Sequence, residues 1–245
     1  LSRRQRQMCI RDRMSAARQS LAVAVLLFAY DALVEKKLLR FFILVILAAQ
    51  FHAVAYVFLL AWPMLWWVDE YRRNSLEKKW QFEKLMAVCV VGIALLTWPM
   101  INLLLKIFPK YQYYMSGVYM DGQARLAIIL KIIVYALMLL APRWIKNQNR
   151  GTRQSVVELS LYRMALINIV ILDAANQATI LTRFSGVFSL YAIADFSEQV
   201  ARLQYKKNRE IVTILALVLF AVYGGVITLY RTPEWQTTYP FVWWR

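Results

Sequence analysis

Leu38 to Val68 reads LLRFFILVILAAQFHAVAYVFLLAWPMLWWV, and how it is folded decides the architecture. It is almost wholly apolar and holds the single histidine of the chain, His52, near its middle. One straight helix of that length would run about 45 Å. The hydrocarbon core of a bilayer is only about 30 Å thick. The stretch is therefore either one long, tilted span or two short helices that meet near His52.

The rest of the chain supplies the test. Of its 245 residues 60% are hydrophobic, well above the usual share of a soluble domain. Apolar runs are expected at Ala16–Val34, Leu85–Ile107, Leu126–Ala141, Val156–Leu172, Ala178–Phe196 and Ile211–Leu229. Runs of this length mark membrane spans. No series of short alternating segments suggests a β-barrel. The formal charge is +16, and the basic residues sit mostly in the connectors around 35–40, 69–84, 143–154 and 202–209. Basic connectors are a mark of cytoplasmic loops, so the charge does not argue for nucleic-acid binding. If Leu38–Val68 were one span, the connectors at 35–40 and 69–84 would lie on opposite sides although both are basic. Two short helices remove that conflict. The expected fold is all-α, a polytopic helical membrane protein with about eight segments, including a short helical hairpin around His52.

The first residues, LSRRQRQMCIRDR, resemble translated adapter sequence. Residues 1–13 are expected to be a non-native or disordered basic tail, with 14–245 the C-terminal part of a longer, single helical membrane domain. Without that tail the charge is still about +12. Cys9 and Cys89 form no disulfide framework, and one histidine with two distant cysteines gives no metal spacing.

In the hairpin topology one face gathers polar groups: Arg18, His52, the tyrosine-rich segment with Tyr111 and Tyr114, Arg125, and the turn Asp173–Gln177. Arg183 is expected about one and a half turns inside that face, with apolar residues on both sides. An arginine in hydrocarbon costs at least about 2.5–3.5 kcal/mol on insertion scales, so it faces a cavity or a partner unless it snorkels to the headgroups. His52 suits a base near neutral pH, although a core histidine bonded to a carbonyl fits its spacing equally. The tyrosines also fit an interfacial aromatic belt. Glu158 and Arg163 are read as a local pair or as snorkelling residues, and Asp31 and Asp195 stay unassigned.

Arg18-Gln19 at the start of a span, then Ala48-Ala49-Gln50-Phe51-His52-Ala53, is similar to the EpsG-type polysaccharide polymerases, relatives of the Wzy O-antigen polymerases. Lys110-Tyr111-Gln112-Tyr113-Tyr114 resembles their outer-loop Tyr-x-x-Tyr, and Arg183-Phe184 their Arg-aromatic element. The resemblance covers about residues 16–200, and it implies a multi-pass protein of the bacterial inner membrane. It implies an enzyme that joins undecaprenyl-diphosphate-linked oligosaccharide repeats at the outer face, beside membrane lipids and other polysaccharide-assembly proteins. On that footing Arg183 and His52 would be catalytic, and Arg18, Tyr111, Tyr114 and Arg125 would bind substrate. No acidic cluster suggests a metal, so no cofactor is expected. A lipid-linked glycan ligase, a transporter or flippase for such glycans, and a non-catalytic envelope-assembly scaffold are the alternatives. Close approach of Arg18, His52 and Arg183 would favour the enzyme.

Overall fold

The computed structural model describes residues 3–63, isolated positions between 84 and 106, and residues 122–146, 156–177 and 181–230. These form α1 (Arg3–Val34), α2 (Leu38–Phe51), a 3-10 helix (Ala53–Leu60), α3 (Gly122–Lys146), α4 (Val156–Gln177), α5 (Thr182–Ala201) and α6 (Lys206–Tyr230). There is no strand among the described residues. α1 takes in residues 3–13, which were set aside above. Most of the expected span Leu85–Ile107 and all of residues 108–121 lie outside the described residues.

α1 ends in a tight turn with a clear hydrogen-bond logic. Lys36 adopts φ 64°, the left-handed region. Its N–H donates to the Leu33 carbonyl at 3.1 Å, and the Lys37 N–H donates to the Ala32 carbonyl at 2.8 Å. This crossed pair satisfies helix-terminal carbonyls that would otherwise have no partner. A lysine stands where glycine is usual, and α2 begins at once at Leu38.

α2 then stops at His52, whose backbone is extended (φ −154°, ψ 121°). No glycine or proline lies between Leu38 and Leu60, so neither makes the break. The histidine supplies it: Nδ1 accepts from the Val54 N–H at 3.3 Å and caps the 3-10 helix that follows. In an apolar phase an uncapped N–H is costly, so a side-chain acceptor permits a break here. The chain reverses at this point. The Phe41 and Phe58 rings lie 6.1 Å apart, and Phe42 and Trp62 meet edge-on at 5.5 Å. Each limb turns a stripe to its neighbours, Phe41, Val45 and Ala48 on α2 and Ala55, Phe58 and Ala61 on the return. The two-helix expectation for Leu38–Val68 matches this fold-back.

The packing is inverted relative to a soluble protein. Large apolar side chains such as Phe28, Ile46, Leu140, Ile214 and Leu229 are exposed, while Glu158, Asn168, Asp195 and Gln199 are at most 1% exposed. Apolar surface outside and polar groups inside suit a lipid solvent. α4 and α5 are the polar interior pair. Ala16–Val34, Leu126–Ile145 and Lys206–Leu229 are long and apolar enough to cross a membrane, and Leu38–Phe51 and Ala53–Pro63 are shorter apolar helices. The protein is an all-α membrane protein. One aromatic hub ties the hairpin to the interior: Phe58 lies 5.8 Å from Phe188 and 5.6 Å from Tyr191. The Tyr191 hydroxyl donates to the Leu26 carbonyl on α1 at 3.2 Å.

Candidate functional site

Three separate segments supply the site: the early turns of α1 after residue 15, the break at His52, and the first turn of α5. The expected span Ala178–Phe196 placed Arg183 about one and a half turns inside its outer end. The observed helix starts at Thr182, so Arg183 stands in its first turn and is exposed. An arginine at a helix start needs no deep burial.

Gln19 brings α1 to this turn. Its Nε2 donates to the Arg183 carbonyl oxygen at 3.1 Å, across 164 residues of sequence. Gly186 makes the approach possible, because a Cβ there would lie 2.9 Å from the same Nε2. Arg18, the neighbour of Gln19, is exposed.

His52 is half-buried at the hairpin turn. Burial, then the charge of Arg183 and then that of Arg18, hold its imidazole below the ordinary histidine range. All three causes favour the uncharged ring. The Gln19–Arg183 bond sets Arg18 and Arg183 at one junction of α1 and α5, and the charges of both act on His52. With Nδ1 accepting from Val54, the neutral ring carries its proton on Nε2. In that state Nε2 is a donor, and service as a base requires release of the Val54 bond. Tyr111 and Tyr114 lie outside the described residues. Arg125 lies in the first turn of α3, and its side chain is also outside the description.

A second polar cluster joins the opposite ends of α3, α4 and α5. Arg143 donates to Asp195 Oδ1 and to the Leu139 carbonyl, both at 2.7 Å, and its guanidinium lies 4.3 Å over the Tyr162 ring. Glu158 accepts from Gln199 Nε2 at 2.9 Å and from Arg202 Nη1 at 2.6 Å, while Arg202 also pairs with Glu198. Sequence reasoning left Glu158 and Asp195 unused and counted Arg143 and Arg202 as loop charges. The available signal was acidic residues inside apolar runs, each with an arginine at a neighbouring helix end. Gln19 was legible only as half of a pair, with nothing to give its contact. Among the described residues no group of His, Cys, Asp and Glu is arranged to hold a metal.

No curated protein and no solved structure matches the chain. A family model described as the EpsG family matches residues 7–243, nearly the whole sequence, and this agrees with the motifs around Arg18, His52 and Arg183. The protein belongs to the EpsG family, with a role in exopolysaccharide synthesis.

Proposed function

We propose that the protein is a polymerase that joins oligosaccharide repeats carried on undecaprenyl diphosphate, working at the outer face of the bacterial inner membrane. The observation that carries this is the Gln19–Arg183 bond of 3.1 Å, which sets Arg18 and Arg183 at one junction of α1 and α5; the charges of both act on His52. A hydroxyl of one repeat attacks the anomeric carbon of the other. A new C–O bond forms, the bond from that carbon to the lipid diphosphate breaks, and its electron pair leaves with the diphosphate. Two arginines suit that leaving group, because the guanidinium fork binds phosphate oxygens bidentately. Charge stabilisation of this kind is usually the largest catalytic contribution. His52 has two roles open to its two nitrogens. In the tautomer capped by Val54, its Nε2–H donates a hydrogen bond to the departing oxygen, and the proton of the attacking hydroxyl passes to the departing diphosphate. Released from that bond, the ring accepts the proton of the attacking hydroxyl. Tyr111, Tyr114 and Arg125 are assigned to the glycan and its diphosphate.

Arg183→Ala tests the reading in cells that depend on this protein for polymer. The expected result is loss of long polymer with single lipid-linked repeats accumulating at the outer face. Repeats held at the inner face instead would refute polymerisation and support translocation. Unchanged polymer would refute both.

A further inference from the structure

We propose that Gln19 is the positioning residue of this site: its carboxamide, seated in the notch left by Gly186, pins the first turn of α5 to α1 and so fixes where Arg183 stands relative to Arg18 and His52. This rests on the proposed function only in naming Arg183 a phosphate ligand.

The geometry is specific. The Arg183 carbonyl has two lone pairs, so it can take the Gln19 Nε2–H at 3.1 Å without giving up a helical bond. The bond therefore ties down the backbone of the very residue whose side chain would meet substrate. Gln19 follows Arg18 directly, so one turn of α1 carries both a cation and the tie that fixes the opposing cation. Such a tie has work to do. Arg18 and Arg183 carry like charges close enough for both to act on His52. Without an anion between them they repel, and Arg183 stands exposed in a first helical turn. An amide suits the task because it is uncharged and directional. A lysine or arginine at residue 19 would add to the repulsion.

Gly186 is the other half of the device. A Cβ at residue 186 would lie 2.9 Å from Nε2, the far end of a flexible side chain. Gly186→Ala therefore displaces the carboxamide and leaves the helix backbone in place. Alanine is also the better helix former, so the substitution separates loss of the tie from loss of fold.

The single histidine makes the test clean. The protein is labelled with 15N-histidine, placed in lipid nanodiscs, and the His52 ring is titrated by NMR. The charged groups acting on the ring are Arg18 from α1 and Arg183 from α5. Arg183→Ala is expected to raise the half-protonation pH, because one cation is gone. Gln19→Met and Gly186→Ala are each expected to raise it too, as Arg183 swings away, and Gln19→Met is expected to add nothing in the Arg183→Ala background. The proposal is overturned if Gly186→Ala leaves the titration at the wild-type position, if Arg183→Ala does so, or if Gln19→Met still moves it once Arg183 is gone. Should Gln19→Met fail to fold, Gly186→Ala decides alone. Polymer formation is read separately. Misplacement of a reacting group by about 1 Å costs on the order of 10²-fold in rate, and a loss of that size is expected in kcat for both variants. A moved titration with unchanged polymer synthesis would leave the tie standing and refute the polymerase reading.

Discussion

Phe58→Ala probes the contact that holds the His52 hairpin against the interior helices. Phe58 is 0% exposed and meets Phe41, Phe188 and Tyr191 with ring centroids 5.6–6.1 Å away. In a soluble core, Phe→Ala costs about 3–5 kcal/mol, which includes transfer of the lost atoms out of water. Between membrane helices that transfer is small, since lipid tails are as apolar as a side chain. What remains is the cavity. The substitution removes ~100 Å³, and at about 24 cal/mol per Å³ of unrelaxed cavity this is roughly 2.4 kcal/mol. One lost aromatic contact adds about 0.5–1.5 kcal/mol. The expected destabilisation is therefore about 3–4 kcal/mol, measured by reversible denaturation with SDS in mixed micelles. Phe28, 59% exposed on α1, is the control, and Phe28→Ala is expected to change stability by less than about 1 kcal/mol. Equal losses for the two variants would refute the idea that packing on Phe58 holds the hairpin.

Two further outcomes follow from the electrostatics. Arg143→Gln leaves Asp195, 1% exposed, with its charge stranded, and is expected to cost about 3 kcal/mol, near the low end for a broken buried pair because Arg143 is itself 20% exposed. Adding Asp195→Asn is expected to restore much of that in the same SDS assay, whereas Lys37→Ala, which breaks the exposed pair with Glu35, changes nothing measurable. The His52 range is lowered in the folded state, so the unfolded chain takes up its proton first as pH falls. The stability that a neutral His52 allows is complete above about pH 6.5 and is lost as pH falls through the lower folded value. Wild type is therefore expected to lose stability relative to His52→Gln on acidification. Parallel pH profiles for the two proteins would refute this.

Much of the fold was legible because lipid makes hydropathy and loop charge speak together. The break at His52 came from arithmetic on basic connectors, and the folded chain reverses there. What hydropathy does not encode is where a helix starts when apolar residues lie on both sides of its end. Residues Ala178 to Leu181 continue the apolar run, so the sequence placed Arg183 inside a span, whereas α5 begins at Thr182. The site was legible as a set of charged residues and illegible as a set of contacts. Arg18 and Arg183 stood out because charge in an apolar run is costly. Gln19 carries no such flag, and its bond to the Arg183 carbonyl depends on a backbone position fixed only by tertiary packing. The Arg143–Asp195 and Arg202–Glu158 pairs were hidden for a related reason, since each joins an acidic residue within an apolar run to an arginine that reads as a loop charge.

The shortness of α2 has a consequence for the bilayer itself. Its 14 residues span about 21 Å, from a lysine-bearing turn to His52. The hydrocarbon core is about 30 Å thick, so a helix of this length falls about 9 Å short of it. Lipid meets such a mismatch by thinning, at fractions of a kcal/mol per Å. Thinning of that kind around the hairpin would bring the outer headgroups to the level of the histidine. On the function proposed above, the charged head of a polyprenyl carrier would then meet the arginines without leaving its leaflet. The protein would draw the leaflet down to the site and spare the carrier a climb out of it.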